Sequence, residues 1–151
     1  MTTEKNTVLV RKIYDLWNDR DLDSPLDMAT DDVELRLMAS GQTFTGRNGF
    51  RRFMERFANA FPDMRKEVTN QVASEDQVVF EVRLRGTHHG PLRTPEGEIP
   101  PTGKTVDLAA IEVIRIVDGK VAALRSYSDT GTLMRQPGTE RLNAARARGD
   151  R

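Results

Sequence analysis

Cysteine is absent from the 151-residue chain. That excludes thiolate catalysis, cysteine metal sites and a disulfide-stapled secreted scaffold. Net charge is absent too, since 23 Lys and Arg balance 23 Asp and Glu. No positive field would draw the chain to nucleic acid or to an anionic membrane. No apolar run approaches the ~20 residues needed to span a bilayer. The amino-terminal stretch MTTEKNTVLVRKIYD is polar and then amphipathic, without the apolar core and cleavage site of a signal peptide. The expected location is the cytoplasm. Histidine is scarce, with only His88 and His89. Neighbours in an extended chain point to opposite faces, and no third ligand accompanies them, so no metal site is expected. No flavin, haem or nicotinamide motif occurs, and no cofactor is expected.

What is present has the length and patterning of one domain, over residues 1–136, with a tail at 137–151. Leu9, Ile13, Leu16 and Trp17, with Val10 and Tyr14 beside them, predict an amphipathic helix ending near Asn18–Arg20. Ser24–Pro25 starts a short second helix. Val33, Leu35 and Leu37 alternate with charged residues and predict a strand. Phe50, Phe53, Met54, Phe57 and Phe61 form a helical stripe that Pro62 ends. Asn48 reads as its cap. The period then becomes two. Strands are predicted at 65–73, around Val78–Leu84, at 104–117 and at 121–129, with a loop at 88–103 and a two-residue turn at Asp118–Gly119. This order implies an α+β fold with about three helices on a curled antiparallel sheet, and a cavity between the layers. The arginine- and alanine-rich tail reads as a frayed helix or a disordered end.

The segments GTHHGPL (86–92), IPPTGK (99–104) and RIVDGKV (115–121), followed by Asp129, resemble the SnoaL-like polyketide cyclase family. IYDLWNDRDLD, the pair Asp31–Asp32, GRNGFRRF and FPD in the first half agree with it. The resemblance spans roughly residues 5–136. It implies a cone-shaped α+β barrel of the nuclear-transport-factor-2-like kind. It also implies cofactor-free acid/base chemistry on an aromatic polyketide of anthracycline type, usually an aldol ring closure. Some relatives instead take part in hydroxylating a cyclised polyketide, which would need a reductase or a substrate that itself reacts with oxygen. A non-enzymatic small-molecule-binding domain is the third reading, because fold alone does not fix function. Steroid isomerases on this fold carry a tyrosine and an aspartate where Ile13 and Leu37 stand here, which argues against that activity. The tryptophan that many cyclase relatives place before the late Asp is missing, as is a histidine in the preceding strand.

If Asp118–Gly119 is a simple two-residue turn, Glu112 pairs with Arg125, Ala110 with Tyr127 and Leu108 with Asp129. Paired side chains share a face. A bulge would exchange the faces beyond it. The resemblance makes Asp129 the general acid/base, so its face is assigned to the cavity. Desolvation there would raise its pKa into a useful range. Glu112 and Arg125 are then a charged pair, either catalytic, with Arg125 stabilising an enolate, or simply cross-strand. His88 matches the family histidine and either donates to a substrate carbonyl or orders its loop. Tyr14, Trp17, Phe50, Met54, Phe57, Leu108 and Tyr127 are candidate pocket walls, although core packing is the favoured reading of the helical ones. Asp107 is held in reserve on the outer face. The apolar outer positions Ala109, Ile111, Val113 and Leu124 suggest a homodimer through the sheet.

Overall fold

The computed structural model describes residues 2–129; the tail at 137–151 lies outside them. Helix α1 (Thr2–Asn18) buries Val10, Ile13, Tyr14 and Trp17, one stripe of its surface. It closes in a Schellman turn. Asp21 N–H donates to the Leu16 carbonyl and Arg20 N–H to that of Trp17, with Arg20 at φ 62°. A glycine is usual there. Arg20 is held instead by its guanidinium, which donates to the carbonyls of Trp17, Phe61, Pro62 and Met64. The second helix is a 3-10 turn, Ser24–Met28, with Pro25 buried.

Strand β1 (Ala29–Leu37) and the short β2 (Thr43–Thr45) precede helix α2 (Gly46–Ala60), which buries Phe50, Phe53, Met54 and Phe57. Thr45 holds its N-cap position, and Asn48 lies inside the helix. Then come β3 (Arg65–Ala73) and β4 (Gln77–Thr87), a small hairpin of β5 (Leu92–Thr94) and β6 (Gly97–Ile99), and the long pair β7 (Thr105–Val117) and β8 (Lys120–Ser128). The main sheet runs β2-β1-β8-β7-β4-β3. It is curved but open, with β2 and β3 as edges, rather than a closed barrel. It is also mixed rather than antiparallel, because β1 runs parallel to β8. Both α-helices lie on one face. That follows from strict alternation: along β7, Val106, Leu108, Ala110, Glu112, Ile114 and Ile116 are buried.

Two of the quoted segments form one structural closure. His88 N–H donates to the Lys104 carbonyl, Gly103 N–H donates to the His88 carbonyl, and His88 Nδ1 lies 3.0 Å from Thr102 Oγ1. His89 and Gly90 N–H groups both donate to the Ala60 carbonyl at the end of α2. They satisfy an acceptor that a helix terminus leaves without an intrahelical partner. Gly90 is required by this approach, since a Cβ there would stand 1.9 Å from the Asn59 carbonyl oxygen.

Candidate functional site

The β7–β8 turn is the predicted tight one, with Asp118 at φ 51° and Gly119 at φ 73°. Beyond it the register departs from the expectation. Ile116 pairs with Val121, but Arg115 pairs with Ala123, so Ala122 is an extra residue. This bulge exchanges the two faces of β8 relative to the simple count. Glu112 therefore pairs with Ser126, and Arg125 pairs with Val113. Arg125, Tyr127 and Asp129 fall on the outer face. Arg125 Nε lies 3.4 Å from Tyr127 Oη in an exposed contact, and Asp129 is exposed at the strand end. The placement of these three side chains in the cavity is thus corrected. Leu124, expected outside, is buried inside at 7 % exposure.

The inner face keeps Glu112. Its cross-strand neighbours are Phe80 on β4 and Ser126 on β8. Its carboxylate accepts a hydrogen bond from Tyr14 Oη, reaching across from α1. The residue is 4 % exposed and Tyr14 6 %. Tyr14 is steadied by an edge-on contact with Phe80, at 5.1 Å between ring centroids. Burial, above all, pushes the Tyr14 phenol well above its ordinary pKa, and the charge and hydrogen bond of Glu112 add to this. Tyr14 is therefore a neutral donor throughout the physiological range.

Around this pair lies an apolar chamber of about 30 Å³, walled by Ile13, Trp17, Phe50, Phe53, Met54 and Leu124 among others. A second, smaller chamber of about 10 Å³ shares Trp17, Phe53, Met54, Lys66 and Glu112 with it and adds Arg56, Phe57 and Ser126. A wider groove of about 620 Å³ runs along the β3 edge opposite α1. It reaches Tyr14 and Lys66 and is otherwise lined by Asn18, Val68 and charged residues, Arg11, Asp15, Arg65 and Arg83 among them. Among the expected pocket walls, Tyr14, Trp17, Phe50, Met54 and Phe57 line the chambers. Leu108 is buried on the same sheet face without lining either of them, and Tyr127 is outside.

Two cations at this site were not anticipated. Lys66 Nζ stands 4.5 Å from the Trp17 ring centroid and 5.5 Å from that of Tyr14. Arg56 stacks on Phe57 and Phe53, at 4.1 and 5.1 Å. Burial lowers the pKa of both, that of Arg56 to about 10, and the charge of Glu112 opposes the shift in each case. A signal existed for Lys66: it shares parity with Val68, whose partner Val82 is buried. Arg56 follows Phe53 by three residues on the apolar stripe of α2.

His88 is fully buried, yet it lines neither chamber. Its ring packs against Phe61 at 5.4 Å, and its Nδ1 faces Thr102. The structure puts it in the loop closure. Asp107 is on the outer face, in a bidentate pair with Arg83 at 2.8 Å.

The fold is shared with solved structures of related assignment. A protein from Jannaschia sp. CCS1 assigned as a SnoaL-like polyketide cyclase superposes with a TM-score of 0.80, at 24% identity over 89% of this chain and 92% of that one. AclR from Streptomyces galilaeus, assigned as a hydroxylase, gives 0.75 at 25% identity, over 91% and 98% of the two chains. IdmH from Streptomyces antibioticus, assigned as a polyketide cyclase, gives 0.72 at 24% identity, over 88% and 98%. At such identities these likenesses speak chiefly to fold. No curated protein matches the chain. The family model of the SnoaL-like polyketide cyclases matches residues 7–137, including every residue of both chambers. With that match over most of its length, and with this layered α+β architecture, the chain belongs to the SnoaL-like polyketide cyclase family.

Proposed function

We propose that the chain is a polyketide-tailoring enzyme that closes a ring by aldol chemistry, with Glu112 as the proton-transfer group in place of Asp129. The observation that carries this reading is the hydrogen-bonded Tyr14–Glu112 pair in an apolar chamber. In the closure, the Glu112 carboxylate takes an acidic α-proton from the substrate. The resulting enolate carbon attacks a carbonyl carbon, forming the new C–C bond and an alkoxide. The Glu112 carboxylic acid returns its proton to that alkoxide, so the step is an isomerisation. Tyr14 keeps its own proton, orients the carboxylate and offers a donor as enolate charge develops.

The enclosed chambers are too small for a polycyclic substrate. The ring system therefore occupies the groove along β3, whose volume lies in the usual range for ligand sites, roughly 300–1,000 Å³. Only the reacting end enters past Tyr14 and Lys66. We also propose that the outer sheet face, where Ile111 and Tyr127 are 42 % and 43 % exposed, pairs with a second copy of the chain.

Hydroxylation of a cyclised aromatic polyketide is the second reading, favoured by the likeness to AclR. The test incubates the protein with an uncyclised anthraquinone-type substrate, as ester and as free acid, and with a cyclised aromatic polyketide, with and without oxygen. Products are read by mass. An isomeric or dehydrated product formed equally without oxygen supports ring closure. A gain of one oxygen atom replaces it with the second reading.

A further inference from the structure

The site holds more positive than negative charge, and its cations have donors to spare. Lys66, Arg56 and Glu112 line one chamber. Glu112 already accepts from Tyr14. Among the described residues, neither Lys66 nor Arg56 has a side-chain hydrogen-bond acceptor or an ion-pair partner; both rest on aromatic faces. Arg56 Nε is buried with no acceptor. An unmatched donor on a buried guanidinium is costly, and a structure tolerates it where a ligand supplies the acceptor. Arg20, the other cation near Trp17, is by contrast committed to four backbone carbonyls.

We infer that the substrate carries a free carboxylate, which Arg56 and Lys66 hold inside the chamber. With such a group bound, two partly buried cations face two anions. Without it, one positive charge of the chamber has no counter-charge among the described residues. A guanidinium fixed on two phenylalanine faces is pre-oriented for a planar carboxylate. Ser126, 6 % exposed on the adjoining strand, lines the same space. This inference rests on the reading of the chamber as the substrate site, and it makes the acid, rather than its ester, the preferred substrate.

The test uses Trp17, the only tryptophan of the chain and a wall of both chambers. Quenching of its fluorescence is titrated with anthraquinone-2-carboxylate and with the neutral anthraquinone-2-carboxamide of similar shape. The carboxylate is expected to bind at least about tenfold more tightly, as charge-assisted hydrogen bonds to buried donors require. Arg56→Gln and Lys66→Met should each remove most of that preference, read as the ratio of carboxylate to carboxamide affinity in the same variant. Lys66→Met serves alone if the Arg56 variant does not fold. Equal quenching by both probes in the unaltered protein, or a preference that survives in the folded variants, overturns the inference and leaves the site reading standing. Quenching by neither probe overturns both.

Discussion

At the scale of single residues, the Tyr14–Glu112 pair decides most. Glu112 is 4 % exposed, and its carboxyl group accepts a hydrogen bond from Tyr14 Oη there. Tyr14→Phe removes the donor and keeps the ring against Phe80. Urea unfolding should show a loss of about 1–3 kcal/mol, the range for leaving a buried acceptor without its hydrogen bond. A loss within error would mean that Glu112 has other support. Trp17 is held differently, its indole N–H donating to the Met54 carbonyl at 3.2 Å, so it ties α1 to α2 beside the reacting pair. His88 gives a pH test. Burial, chiefly, lowers its pKa below the ordinary value of about 6.5. The unfolded chain then binds a proton that the folded chain refuses. The contribution of His88 is complete above that ordinary value and falls away as pH drops from it toward the lowered one. The urea midpoint should fall between pH 7 and pH 5. His88→Gln should flatten that slope, and an unchanged slope would locate the titration elsewhere.

At the scale of elements, the most informative feature is one extra residue. The apolar periods of α1 and α2, the alternation along β4 and β7 and the Asp118–Gly119 turn were all legible in the sequence, because each is a local pattern repeated several times. The bulge at Ala122 was not. KVAALRSYSD reads as an unbroken strand, and only the opposing residues reveal that two positions face one. That single insertion moved Arg125, Tyr127 and Asp129 out of the cavity and brought Leu124 in. The parallel pairing of β1 with β8 was hidden for a related reason, since it joins residues far apart in the chain. The β3 edge shows a further device. Asn18 donates to the Lys66 carbonyl at 3.0 Å and accepts from the Lys66 N–H at 2.8 Å, so one side-chain amide pairs with the edge strand. Asn18→Ala should cost about 1 kcal/mol and weaken turnover by loosening Lys66, both seen in one preparation by urea unfolding and steady-state rates. Gly90→Ala is harsher. The 1.9 Å approach to the Asn59 carbonyl cannot be met without moving α2 or the 88–104 loop, so a loss of about 3 kcal/mol is expected. An unaffected melting curve would contradict the docking of that loop on α2.

At the scale of the whole molecule, the sheet separates two jobs. Its inner face, with both α-helices, holds buried Glu112 and the partly buried Arg56 and Lys66. Its outer face is a polar lattice, with Asp107 paired to Arg83 and Arg85, interrupted by Ile111 and Tyr127. Among the described residues, no helix is long and apolar enough to cross a membrane. If the outer face joins two copies, Ile111→Lys should shift sedimentation from dimer to monomer without changing the fold by circular dichroism. The curved, open sheet gives the family its interior, and this chain furnishes that interior with one carboxylate, one phenol and two cations. The most direct measurement is the turnover of one uncyclised substrate by Glu112→Gln and by Asp129→Asn, each checked for folding. The account predicts a loss of roughly 10²–10⁴-fold for Glu112→Gln, the usual worth of a positioned acid/base group, and a change within about twofold for Asp129→Asn. The reverse order would place the proton transfer at the strand end and contradict it.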